Sequence, residues 1–226
     1  MRLHVEPTVD DAVRRAADIF VQAAGAMNCA ATTQCTIALP TGRTMIPLYA
    51  ELAKRKATGQ LDLSGARTFN LDELLLPLPH PASFSSYMEL HAWHPLGIRH
   101  HDIPRNTEDS AAECRRYDAA IAAAGGIDLA LLGLGEDGHV AYNLPGPPRE
   151  DTHIVTLPGL RPQRAITMGL GPIRQARHVL MLATTADKRA AISALLDGPE
   201  DPLWPCSLLR GHANFDLVTT VEVMSP

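Results

Sequence analysis

The chain has 226 residues, 46% of them hydrophobic and 20% charged, with a formal net charge of −5. That is enough apolar material to bury a large core, and a single domain over residues 1–226 is expected. The acidic balance excludes the broad basic surface that nucleic acid or anionic lipid demands, so any anionic ligand must be held locally.

No apolar run approaches the roughly 20 residues that cross a bilayer, and no basic-then-apolar leader opens the chain, so a cytosolic location is expected. Cys29, Cys35, Cys114 and Cys206 show no paired spacing and read as reduced thiols. His91, His94, His100 and His101 share one polar stretch. No carboxylate or thiolate stands at a familiar zinc spacing beside them, so no metal site is expected.

In chain order, Val9, Val13, Ala16, Ala17, Phe20 and Ala24 have the three-and-four spacing of a helix with one buried face. Thr8 is placed to cap it, with Asp11 in the third position. "TIALPTG" reads as a buried strand, Thr36–Leu39, ending in a tight turn, and "IPLYAELAKR" as the following helix. "ARTFNLDE" is strand-like, while "SFSSYMELHAW" and "SAAECRRYDAAIAAAGG" are helical. "IDLALLGLG" is a second unbroken apolar strand. "AITMGLG", "HVLMLATT" and "FDLVTTVEV" are further strand candidates, with the helix "ADKRAAISALL" between the last two. The Pro-rich "NLPGPPRED" and "LPGLRPQ" read as loops. This alternation predicts an α/β fold: a three-layer α/β/α sandwich, Rossmann-like, with a mostly parallel sheet.

In such sheets ligands bind beyond the carboxyl ends of the strands, and three loops there carry chemistry. "GLGEDGH" contains a literal G-x-G-x-x-G in Gly133, Gly135 and Gly138. A dinucleotide fingerprint needs a helix at its third glycine, but Pro145, Pro147 and Pro148 follow too soon. The glycines instead allow a sharp turn that aims Asp137 and His139 as an acid/base unit. "NLDE" offers Asp72 or Glu73, of which only one can face the cleft because adjacent strand residues point to opposite sides. "PTGRT" combines the Thr41 and Thr44 hydroxyls, backbone N–H groups near Gly42, the Arg43 guanidinium and a helix N-terminus, the components of an anion site. Lys188 opens a later helix and offers a second positive charge.

Together "LPTGRT", "TFNLDELLLPLPHPASFSSYM", "AECRRYDAAI", "LLGLGEDGHVAYNLPG" and "DKRAAI" resemble the glucosamine-6-phosphate deaminase and isomerase family, within the wider group that includes the 6-phosphogluconolactonases. The resemblance implies an aldose–ketose isomerase/deaminase acting on an amino-sugar 6-phosphate, with no metal and no organic cofactor. It implies Asp72 as the base between C2 and C1 and His139, oriented by Asp137, as the ring-opening group. Thr41, Gly42, Arg43, Thr44, Gly138 and Lys188 would bind the phosphosugar. The alternatives are a sugar-lactone hydrolase of the 6-phosphogluconolactonase type and a catalytically weakened sugar-phosphate-binding protein. A small-molecule phosphosugar is thus the expected partner, with neither nucleic acid nor membrane; a homo-oligomer is left open.

The departures from the family pattern lie close together. "YNLPG" stands where the family has "FNEPG", so Leu144 occupies the position of a third acidic residue, and restoring glutamate there is expected to raise turnover. The segment from Leu157 to Ala165 is short, with Arg161 and Arg164 as candidates for a phosphate-binding arginine. His153 and Val155 replace a basic pair that binds an activator in some members, so no such activation is expected.

Overall fold

The structure, a computed structural model, describes residues 1–30, 35–77, 79–159 and 163–225. The chain opens with β1 (Arg2–Glu6) and enters α1 (Val9–Ala26) through Thr8, whose hydroxyl oxygen accepts from the Asp11 N–H at 3.1 Å. The same hydroxyl donates to the Asp11 carboxylate at 2.6 Å, so the Asp11 side chain reinforces the cap through the Thr8 hydroxyl and not through the Thr8 backbone N–H. β2 (Thr36–Leu39), α2 (Met45–Ala57) and β3 (Arg67–Asn70) follow as one right-to-neighbour unit of parallel strands.

The stretch expected as one strand then proves to be two. Leu71 N–H donates to Leu39 in the large sheet at 3.0 Å, while Leu71 C=O accepts from Met168 at 2.7 Å. Beyond that pivot β4 (Asp72–Leu74) runs in a different, antiparallel sheet. α3 (Phe84–Met88) passes through a π-helical turn (Glu89–Trp93) into α4 (His94–Leu96), which stops at Gly97 in the left-handed conformation, φ 69°. β5 (His100–Asp102), α5 (Ser110–Ala123) and β6 (Leu129–Leu132) lead to β7 (His153–Leu157) and β8 (Gln163–Thr167), which complete the small sheet. The "AITMGLG" strand therefore belongs to that sheet and not to the parallel one. The chain finishes with α6 (Leu170–Arg174), β9 (His178–Ala183), a 3₁₀ turn (Ala186–Lys188) into α7 (Arg189–Leu196), β10 (Phe215–Thr220) and α8 (Val221–Met224).

The large sheet is parallel throughout, in the order β1-β10-β9-β6-β2-β3-β5. Strict alternation divides its side chains between two cores. Ile37, Leu39, Leu129, Leu131, Leu180 and Leu182 pack with α1 and α2. Ala38, Ala130, Leu132, Val179 and Met181 pack on the opposite face with α5 and α7. These central strands are apolar on both sides because helices cover both sides, giving the three-layer sandwich expected. From β2 the chain builds outward through β3 and β5, whereas β6, β9 and β10 build the other way. The crevice between β2 and β6 is thus the point where strand order reverses, and there the ends of two neighbouring loops separate.

The expectation of reduced thiols is also corrected. Cys29 and Cys35 form a disulfide, with Cα atoms 5.1 Å apart, tying the end of α1 to the start of β2. Cys114 and Cys206 are free and buried. Among the described residues no helix is long and apolar enough to cross a membrane.

Candidate functional site

A cavity of about 740 Å³ opens where the strand order reverses, within the range of small-molecule pockets. It is walled by the loops after β2, β6 and β9 and by the first residue of β4. Thr41, Gly42, Arg43 and Thr44 form one side. Their loop is braced from behind by two phenols: Tyr49 donates to Pro40 C=O at 2.6 Å, and Tyr87 donates to Gly42 C=O at 2.7 Å. Gly42 takes φ 119°, which a side chain would strain. Thr44 precedes α2 without capping it through its hydroxyl; the Met45 and Ile46 amides donate to Gly42 and Arg43 C=O at 3.1 and 3.3 Å and Pro47 has no N–H, so among the described residues the amides left without an acceptor here include those of Gly42, Arg43 and Thr44. Among the described residues the Arg43 side chain makes no hydrogen bond or ion pair and is exposed, leaving its guanidinium available to an anion. Lys188 lies opposite with Nζ 2.7 Å from Asp187, so part of its charge is already balanced.

Asp72 forms the floor. Its side chain is buried, and Oδ1 has no hydrogen-bond partner. Burial first, and the neighbouring Glu73 second, push its pKa up to about 8. Glu73 points the other way, as strand alternation requires, and is occupied: it accepts the amides of Leu74 at 2.7 Å, Phe84 at 2.7 Å and Ser85 at 2.8 Å, fastening the start of α3. Of the two adjacent carboxylates, Asp72 alone lines the cavity.

His139 faces Asp72's cavity from the turn after β6. Its Nδ1 lies 2.6 Å from Asp137 Oδ1, which also accepts the His139 amide at 3.1 Å. That contact assigns Nδ1–H as donor to the carboxylate and leaves Nε2 as the free nitrogen. The glycines shape this turn in different ways. Gly138 N–H donates to Gly135 C=O at 3.1 Å, and Gly138 takes φ 82°. A Cβ on Gly135 would clash with the His139 ring itself, so the imidazole rests directly on a bare backbone. A Cβ on Gly138 would meet Trp204 and Cys206, on the side away from the cavity, so Gly138 forms the turn without lining the pocket.

Other expected residues fall outside. Leu144 lines a second cavity of about 260 Å³ with Pro145–Arg149 and His153–Thr156, whereas Asp72 and His139 line the main one. Arg164 lines a third cavity beside Leu75 and Asn106, away from the main one. Arg161 lies outside the described residues. Conversely, Tyr142, Thr184 and Thr185 line the main cavity without having been singled out. The threonines follow β9 at the same end of the sheet, so the strand-end rule reaches them once β9 is fixed. Tyr142 had no such signal: its direction depends on Ala141 at φ 53°, which sequence does not announce.

A family model described as glucosamine-6-phosphate isomerases/6-phosphogluconolactonase matches residues 7–218. Glucosamine-6-phosphate deaminase of Lysinibacillus sphaericus is 35% identical over 230 residues, covering 93% of this chain and 95% of that protein. The Hahella chejuensis enzyme of the same name is 34% identical over 207 residues, covering 84% and 79%. A solved structure of a monomeric glucosamine-6-phosphate deaminase superposes with a TM-score of 0.92 at 28% identity, covering 100% of this chain and 99% of that one. The 6-phosphogluconolactonase of Trypanosoma brucei shares the fold, with a TM-score of 0.80 at 22% identity, covering 98% and 97%.

Proposed function

The chain belongs to the glucosamine-6-phosphate isomerase/6-phosphogluconolactonase family, and from that premise we propose that it is an aldose–ketose isomerase/deaminase converting glucosamine 6-phosphate, or a close amino-sugar phosphate, to the ketose phosphate and ammonia. The single observation that carries this reading is Asp72: a buried carboxyl, unpaired at Oδ1, with its pKa raised to about 8, across one cavity from a histidine held by Asp137. A base that removes a proton from carbon gains from such a raised pKa, because its conjugate acid then lies near working pH.

Arg43, Lys188, Thr41 and the backbone amides of the Gly42–Thr44 turn would hold the phosphate. Gly42 leaves that backbone open to close approach. With the phosphate fixed there, the sugar carbons extend toward Asp72 and His139. His139 Nε2 shuttles the proton from the anomeric hydroxyl to the ring oxygen, opening the ring to an aldehyde. Asp72 then takes the C2 proton, the substrate's own ammonium passes a proton to O1 to leave the neutral enolamine, and Asp72 returns its proton to C1. The resulting C2 iminium adds water and expels ammonia, leaving the ketone.

The test is ammonia release from glucosamine 6-phosphate, run beside hydrolysis of 6-phosphogluconolactone on the same preparation. Ammonia release that Asp72→Asn reduces by at least ~10²-fold supports the assignment. Lactone hydrolysis without ammonia release refutes it.

A further inference from the structure

Tyr142 has no part in the scheme above, yet its surroundings are built to hold it in the cavity. The turn Val140–Asn143 is closed by the Asn143 amide on Val140 C=O at 3.0 Å and by the Asn143 side chain, which donates to Val140 and Met168 carbonyls at 2.9 Å each. Ala141 is forced to φ 53°, a conformation that disfavours any side chain by ~1 kcal/mol. The Tyr142 amide donates to Thr167 Oγ1 at 3.0 Å, and Thr167 is the β8 residue directly opposite Asp72 in register. One residue therefore positions both the tyrosine and the strand that carries the carboxyl.

The ring stacks on Phe84, centroids 5.9 Å apart at 23°, and lies 6.0 Å from the His139 ring. Tyr142 is half-buried against the cavity, and among the described residues its hydroxyl has no hydrogen-bond partner. Burial, then the Asp72 charge, push its pKa up to about 12, so it stays protonated and serves as a donor. Tyr142 lines the main cavity together with Asp72 and His139, and also the second one, so its unpaired hydroxyl is open to water or to a ligand that enters.

The geometry points to Tyr142 as a further catalytic residue, whose hydroxyl donates a hydrogen bond to O1 of the opened sugar, the oxygen that gains negative charge as Asp72 removes the C2 proton. The claim rests on the deaminase assignment and adds a contact to it. In this step the C2–H electron pair becomes the C1–C2 π bond, the carbonyl π pair moves onto O1, and the proton passes to Asp72. Tyr142 keeps its own proton. The same turn that carries leucine at the acidic position of "FNEPG" carries this hydroxyl at the position of its phenylalanine.

Tyr142→Phe in the full chain removes the hydroxyl and keeps the stack on Phe84. With glucosamine 6-phosphate, kcat is expected to fall on the order of 100-fold while KM stays within about threefold, as for loss of one oxyanion donor. The melting temperature should hold within about 2 °C. Substrate deuterated at C2 should show a larger isotope effect on kcat in the variant than in the parent, because proton removal becomes slower relative to the other steps; a purely structural role would not move it. A kcat within about threefold of the parent, or an unchanged isotope effect, overturns the role of Tyr142 while leaving the deaminase assignment intact. A parent that releases no ammonia overturns both.

Discussion

Asp72→Asn separates what the carboxyl does for chemistry from what its burial does to stability. In the folded chain its pKa rises from 3.8 to about 8, through burial first and Glu73 second. The folded state therefore holds a proton that the unfolded chain has already released over the window between those values. Its contribution to stability is fully present below the unfolded pKa and is lost as pH climbs through the window, reaching a floor above the folded pKa. At ~1.4 kcal/mol per pKa unit, this sets a ceiling of about 4 kcal/mol of destabilisation at pH 7. An asparagine of the same shape has no proton to lose, so the variant should be more stable than the parent by ~1–4 kcal/mol at pH 7 and nearly equal to it near pH 4. Urea unfolding of both proteins at the two pH values measures this directly. Activity should move the other way, with kcat down by ~10²–10⁴-fold, and parental kcat/KM should rise from pH 6 toward 8 as the carboxyl ionises. A stability difference that does not change between pH 4 and pH 7 would refute the buried-proton argument.

Gly135→Ala pushes a methyl into the His139 ring; ammonia release should fall by about 10²-fold or more because misplacing a catalytic group is that costly, while far-UV circular dichroism stays unchanged. Leu144→Glu should change kcat by less than about threefold, reversing the expectation from sequence, since the side chain lines the second cavity. A tenfold gain would show instead that the Asn143–Gly146 turn swings toward His139 when substrate binds. Replacing Cys29 and Cys35 with alanine should lower stability by about 2 kcal/mol in chemical unfolding, the chain-entropy value for so short a loop. Turnover should survive that change, because Cys35 precedes β2 and the pocket lies beyond its other end.

The strands legible in the sequence were those buried on both faces: Thr36–Leu39, Leu129–Leu132 and His178–Ala183 carry apolar runs of three or more residues, and Phe215–Thr220 is rich in apolar and β-branched residues although Asp216 interrupts it. The three missed strands, β1, β5 and β7, all lie at sheet edges, where polar residues such as His4, His100 and Thr156 interrupt the signal. β3 and β4 were read as one because the chain crosses between sheets at Leu71 without glycine or proline to mark the step. The Cys29–Cys35 bridge was missed because a separation of six matches no redox or metal spacing, and only the approach of α1 to β2 brings the thiols together. Within the pocket, loops at strand ends led to Asp72, His139 and the 41–44 turn. Tyr142 was illegible because one strained backbone angle decides where it points.

The crossing at Leu71 also explains why Asp72 is suited to the role proposed for it. Had β3 continued in the parallel sheet, Asp72 would follow its carboxyl end in an open loop, solvated and with an ordinary acidity. Pairing β4 with β8 instead places Thr167 beside Asp72 and covers the carboxyl, and that burial is the first cause of its raised pKa. Glu73, one position on, is turned to the other side of the strand, where it accepts the amides that begin α3 and brings Phe84 under the Tyr142 ring. Two adjacent carboxylates thus serve opposite ends, one kept unpaired for a proton and the other fully hydrogen-bonded to hold the wall. Exchanging Asp72 and Glu73 in one double variant should therefore lose both functions: the longer side chain would fill the cavity floor, and the shorter one would leave the Phe84 and Ser85 amides without an acceptor.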